Sequence, residues 1–172
     1  MADKEATDMA TGGGGGGAVE VIDTLRKDQL VLASRPDGMP DDSNFKVFEY
    51  EFTYTRPLQD ENAVALKVLL ISIDPYLREI MTEDNCLSGI LPFQIGKPVE
   101  ALSISKVMSS SIPEFKEGDY VLALTPVTNY VLVRLHPNAF IKKIQPKGDI
   151  PLAHYLGVLA RYESSCLHSV LI

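Results

Sequence analysis

The sequence predicts a mainly β domain, a partly open barrel with a few short helices, and three observations carry that prediction. From Asp28 onward, short apolar or alternating runs are separated by turn residues, the pattern of many strands and few helices. About seven such runs follow one another at close spacing, and a barrel hides strand edges that would otherwise pair with other chains. A helical pattern enters only near the end, at Leu152, Tyr155, Leu156, Leu159, Tyr162, Cys166 and Val170. A length of 172 residues with 45 % hydrophobic content suits one domain with a core of its own.

Taken in order, residues 1–18 are predicted to be a disordered leader. They mix acidic and small residues with six consecutive glycines, Gly12 to Gly17, and such a stretch cannot bury enough apolar surface to offset its conformational entropy. A phosphate-cradling loop would need a strand before it, a helix after it and a Lys-Ser/Thr pair, and none is present. The folded domain is expected over 19–159. Gln29 to Ala33 is its first predicted strand, closed by the turn Arg35-Pro36-Asp37-Gly38. Phe45 to Phe52 alternates, so that Phe45 and Val47, or after a register change Phe48, Tyr50 and Phe52, compete for the inner face. Ala63 to Ile73 is long and largely apolar, as expected of a central strand covered on both faces.

Beyond a loop from Ile80 to Leu91, alternation resumes over Val99 to Met108. A turn at Pro113 to Asp119 leads into a strand at Tyr120 to Leu124, and strands at Asn129 to Val133 and Ala139 to Ile144 complete the set. Asp149 and Pro151 then suit the start of a helix, which Gly157 weakens by about 1 kcal/mol relative to alanine.

Several functions are excluded. The 16 basic and 23 acidic residues give a net charge of −7, which opposes nucleic-acid binding, since that affinity comes from Lys and Arg displacing counterions. No apolar run of about 18 residues exists to cross a bilayer, and Met1-Ala2-Asp3-Lys4-Glu5 lacks the order of a signal peptide. A soluble, cytoplasmic protein is expected. Cys86 and Cys166 stand 80 positions apart, and His136, His154 and His168 are scattered, so no metal site is predicted.

The stretch Ser72-Ile73-Asp74-Pro75-Tyr76-Leu77-Arg78-Glu79-Ile80-Met81 resembles a signature of the NADPH-dependent 2-alkenal and double-bond reductases, the zinc-independent, prostaglandin reductase-like branch of the medium-chain dehydrogenases. Other landmarks fall in the same order. Gln29 to Gly38 resembles the opening strand and turn. Gly96-Lys97-Pro98-Val99 is similar to a Pro-Gly-x-Pro-Ile turn, with Ile95 in the first proline's place. Pro113-x-Phe115-Lys116-x-Gly118-Asp119-x-Val121 resembles a Pro-Asp-Phe-Lys-x-Gly-Asp-x-Val hairpin, and Asp149 to Leu159 the first interdomain helix. The resemblance covers residues 28–159 and implies a GroES-like amino-terminal domain.

The resemblance also implies a site. It places Tyr76 where nicotinamide and enal meet, as a substrate- and cofactor-binding residue, with Pro75 beside it as a cofactor contact. Phe93 takes a position where an aromatic walls the substrate pocket, with phenylalanine in place of the tyrosine found in several relatives. From the residues alone, Pro75 fixes its own φ and ends the strand, leaving Tyr76 at the rim with a ring face and a hydroxyl to offer. Tyr76 is otherwise read as a rim tyrosine packed on the barrel, and Phe93 as ordinary core. Asp74 suits a turn-forming acceptor and Arg78 a local ion pair with Asp74 or Glu79. No catalytic residue is assigned.

After Leu159 the resemblance stops. The family continues into a Rossmann domain whose glycine-rich turn holds the cofactor pyrophosphate, and no such turn is found here, so the divergent stretch 160–172 is read as a tail. The expectation is the substrate-side domain of a reductase of the C=C bond in α,β-unsaturated aldehydes and ketones, inactive alone. NADPH is implied by resemblance only. The alternatives are a non-catalytic interaction module associating with a full-length homologue, or a non-functional truncated product.

Overall fold

A computed structural model describes residues 21–84, 91–137 and 139–157. The leader and the tail expected from the sequence lie outside these residues. Seven strands follow in chain order: β1 (Val21–Leu32), β2 (Phe45–Arg56), β3 (Ala63–Ile71), β4 (Glu100–Ser110), β5 (Tyr120–Pro126), β6 (Tyr130–Arg134) and β7 (Ile141–Ile144). A short helix, α1 (Tyr76–Ile80), follows β3, and residues 152–157 form a further helical turn. The mainly β, partly open fold is therefore as expected.

Two sheets make up the fold. β1 and β2 pair along their whole length as a two-stranded ribbon, and a five-stranded sheet runs β6-β3-β4-β5-β7. All pairings are antiparallel. Near its end β1 turns onto the larger sheet through isolated bridges, Gln29 to Thr128 and Val31 to Pro98. Three main-chain bonds fasten the corner: Leu30 N to Val127 O (2.9 Å), Val127 N to Val99 O (2.7 Å) and Val99 N to Leu30 O (3.1 Å). The Asn129 side chain adds to this seam by accepting from Asp28 N at 2.9 Å and donating to Arg26 O at 3.1 Å.

Apolar burial explains why β3 is central. Ala63, Val64, Ala65 and Leu66 are all fully buried, which requires cover on both faces of the strand. Val64 and Leu66 join Val107, Val121 and Val131 on one face. Ala63 and Ala65 pack on the other with Phe52, Tyr54 and Leu58. Further along the sheet, Leu102, Ile104, Leu122 and Ile144 are covered by Leu156 of the helical turn at 152–157. Between these layers Thr125 Oγ1 donates to Ser103 Oγ at 2.8 Å, so the buried hydroxyls on β4 and β5 keep partners, as buried polar groups must.

The ribbon refines the expectation for the second strand. Val47 (64 % exposed), Phe48 and Tyr50 all face solvent, whereas Phe52 and Tyr54 are buried. Phe45 packs against the cluster around Leu32, and the second half of β2 lies on β6, where the Phe52 and Tyr130 rings stack at 6.0 Å. The first strand also extends well upstream of the Gln29 start expected from the sequence. Arg26 pairs with Glu49 and Arg56 with Asp23 across the ribbon, and Arg26 with Asp28 along β1, and that polar pattern carries a strand without the apolar alternation used to detect it.

Candidate functional site

β3 ends at Ile71, and the last tie to the sheet is Ser72 N to Leu102 O at 2.8 Å. Pro75 takes helical angles (φ −56°, ψ −31°) and stands as the N-cap of α1, a place where its missing N–H costs nothing. Leu77 N then donates to Asp74 O (3.0 Å) and Arg78 N to Pro75 O (3.1 Å). Asp74 thus serves the turn through its main-chain carbonyl. Helix α1 turns Leu77 and Ile80 into a buried cluster with Leu32, Met81, Val99 and Ala101, while Tyr76, at its start, is half-buried.

Arg78 reaches beyond its own helix. Its Nε donates to Gly38 O at 2.7 Å and its Nη2 lies 3.5 Å from Pro36 O. Arg35 Nη1 reciprocates by donating to Met81 O at 2.8 Å. Two arginines therefore clamp the turn after β1 against both ends of the helix, satisfying carbonyls that neither element can pair internally.

Residues 91–98 supply the facing wall. Phe93 N donates to Ile80 O at 2.7 Å, Gly96 N to Leu32 O at 2.8 Å, and Leu32 N to Lys97 O at 3.1 Å. Gly96 adopts φ +80°, a left-handed conformation that favours glycine, so the chain reverses there and lays Lys97 and Pro98 along β1.

Between helix and wall lies a cavity of about 430 Å³. Tyr76 and Ile80 line one side, Leu91, Pro92, Phe93 and Gln94 another, and Lys97, Pro98, Glu100 and Leu124 the rest. The structure brings Tyr76 and Phe93 onto one cavity. Pro75 stays exposed on the helix cap and is not one of the walls. Burial, and then the charge of Asp74, push the Tyr76 phenol up to about 12, so it is a neutral hydrogen-bond donor throughout the physiological range.

Glu100, Gln94, Lys97 and Leu124 are cavity residues that sequence reasoning missed. For Glu100 a signal existed: it shares parity with Leu102 and Ile104, so it lies on the same sheet face. Burial raises its carboxyl above the usual range. Leu124 comes from the neighbouring strand and carries no mark of a site in its local sequence. Among the described residues no three His, Cys, Asp or Glu side chains come together to hold a metal, and no helix is long and apolar enough to cross a membrane. Cys86, Cys166 and His168 lie outside the described residues.

Residues 28–141, which include both walls of this cavity, match a family described as the N-terminal domain of oxidoreductase. The chain belongs to this family. A 2-alkenal reductase (NADP(+)-dependent) from Nicotiana tabacum is 30 % identical over 131 residues, covering 76 % of this chain and 37 % of the relative. An NADPH-dependent curcumin reductase from Escherichia coli (strain K12) is 32 % identical over 105 residues, covering 61 % and 29 %. Among solved structures, CurA from Vibrio vulnificus superposes with a TM-score of 0.58 at 30 % identity, over 70 % of this chain and 34 % of that one. CurA in complex with NADPH gives 0.62 at 27 % identity, over 77 % and 36 %. This oxidoreductase domain thus spans about a third of the length of these relatives. The landmarks from Gln29 to Val121 fall within the matched residues, and the helix beginning near Pro151 lies beyond them.

Proposed function

We propose that these residues form the substrate-side domain of an NADPH-dependent reductase acting on the C=C bond of α,β-unsaturated aldehydes and ketones. The observation that carries this reading is the meeting of Tyr76 and Phe93, from separate segments, on one largely apolar cavity. An enal or enone is flat and apolar with a single strong acceptor, its carbonyl oxygen. Phe93, Ile80, Leu91 and Leu124 suit the carbon skeleton, and Tyr76 suits the oxygen. In reductions of this class negative charge builds on that oxygen as the β-carbon is reduced, and a preplaced donor stabilises it. A phenol that resists ionisation keeps its proton for that bond.

NADPH would supply the hydride when bound. The cavity fits a flat ring but not the whole cofactor, because the described residues hold no glycine-rich turn opening a long helix. Helix α1 has five residues and begins at a proline, so it offers no cradle for a pyrophosphate. On this reading the described residues bind an enal and do not by themselves reduce it.

Titration with cinnamaldehyde, followed by protein NMR and reversed by dilution, tests this reading. Resonances of Tyr76, Phe93 and Leu124 should shift together, and Tyr76→Phe should weaken binding by up to about tenfold, the worth of one hydrogen bond. Shifts scattered elsewhere on the domain would refute the cavity assignment. NADPH oxidation by this chain, above a control without protein, would refute its inactivity.

A further inference from the structure

The cavity contains three polar side chains that the proposed chemistry does not use, Gln94, Lys97 and Glu100, of which Glu100 alone is an anion. Glu100 opens β4 opposite Pro126 of β5, and its side chain lines the cavity with Tyr76 and Phe93. Glu100 is an exposed residue at the rim of that cavity. Burial is nevertheless what raises its carboxyl above the usual range, and no hydrogen bond or cation offsets that cost. Lys97, on the adjoining wall, is exposed and forms no ion pair with it. Gln94 is exposed on the far side of the same opening. Among the described residues no side chain donates to Glu100, which thus presents its acceptor oxygens to the ligand space.

A carboxylate so placed acts on ligands in two directions. It accepts from a hydroxyl or amino group on the ligand, a charge-assisted bond stronger than a neutral one. It repels a ligand carboxylate brought close to it. Both effects leave a purely hydrocarbon enal untouched.

Resting on the function proposed above, we infer that Glu100 is the specificity-determining residue of this cavity. It selects unsaturated carbonyl compounds that carry a hydrogen-bond donor over those that carry a carboxylate. Tyr76 holds the carbonyl end, and Glu100 reads the remote substituent.

Three probes on one frame test this: cinnamaldehyde and its para-hydroxy and para-carboxy derivatives, each titrated into the intact chain by NMR. The wild-type domain should bind the hydroxy compound about tenfold more tightly than the carboxy compound, the scale of one charge-assisted bond. Glu100→Gln, which keeps an acceptor but loses the charge, should bring the carboxy compound up towards cinnamaldehyde. Glu100→Leu should also abolish the preference for the hydroxy compound. Folding of each variant is read separately, from the dispersion of the amide resonances of β3 and β4, which all three proteins should share. Equal affinities for the hydroxy and carboxy probes in the wild type, or a ratio unmoved by both variants, would overturn the role of Glu100 while the cavity assignment stands. If cinnamaldehyde fails to shift the cavity resonances of the folded wild-type domain, the proposed function falls and this inference with it.

Discussion

The five-stranded sheet and the corner that holds Tyr76 are built in opposite ways. In the sheet, each residue is fixed by neighbours that repeat: Leu66 lies between Val107 of β4 and Val131 of β6, and all three are buried. At the corner there is no repeat. β1, the turn at 36–38, α1 and residues 93–97 meet through single bonds, each made once, such as Phe93 N to Ile80 O and Arg78 Nε to Gly38 O. The sheet is a redundant structure and the corner an exact one. Damage to the sheet should therefore reach the whole domain, and damage to most corner bonds should reach the cavity alone.

The largest effect expected is that of Leu66→Ala. Removing a fully buried leucine from the central strand should cost about 2–5 kcal/mol, read as a lower denaturant midpoint common to all probes of structure. Leu77→Ala comes next. Leu77 is the buried foot of α1 against Leu32, and its loss should cost about 2–3 kcal/mol and also abolish cinnamaldehyde binding. If Leu66→Ala weakened ligand binding while leaving the midpoint in place, the contrast between sheet and corner would be wrong.

Arg78→Ala removes two contacts to carbonyls and should cost about 1 kcal/mol, as for a partly exposed bond to a charged group. Hydrogen exchange should quicken at residues 77–82 and leave β3 and β4 unchanged; equal acceleration in the sheet would contradict the local character of the clamp. The pH dependences separate the two regions again. Tyr76 has its folded value raised by burial, so its contribution to stability is complete below the unfolded value near 10 and is lost as pH rises through about 12. Asp119 lies at the other end of the sheet, where its hydrogen bond from Lys143 (2.5 Å) holds its carboxyl below the usual range. Its contribution is present above the unfolded carboxylate value and is lost as pH falls through the depressed one. Spectroscopic titration of the tyrosines should show late ionisation at Tyr76 and also at Tyr54, whose phenol burial likewise raises.

The smallest effect concerns Glu100. An unpaired carboxyl with a raised value destabilises the fold at neutral pH, so Glu100→Gln should raise the thermal midpoint slightly. A lowered midpoint would mean that the charge supports the fold and does not serve the ligand.

Much of this was legible in the residues. Alternation placed the later strands within a residue or two, because sheet burial has a period of two that the chain must obey. It misplaced the start of β1 and the inner face of β2, since Ile22, Val47 and Tyr50 are apolar residues with no layer above them. The signature at Ser72 to Met81 pointed to Tyr76, and the resemblance pointed to Phe93. Neither pointed to Glu100 or to the reach of Arg78, because each depends on a segment distant in the chain.

Local sequence sets most of the breaks between strands. Pro75 and Gly96 act through their own backbone angles, and those constraints are local. Only the tertiary structure decided that Tyr76, Phe93 and Glu100 share a cavity. Their common wall exists because β1 is seated across Val99 and Val127, a closure of distant segments that cooperative burial, not any local preference, holds in place.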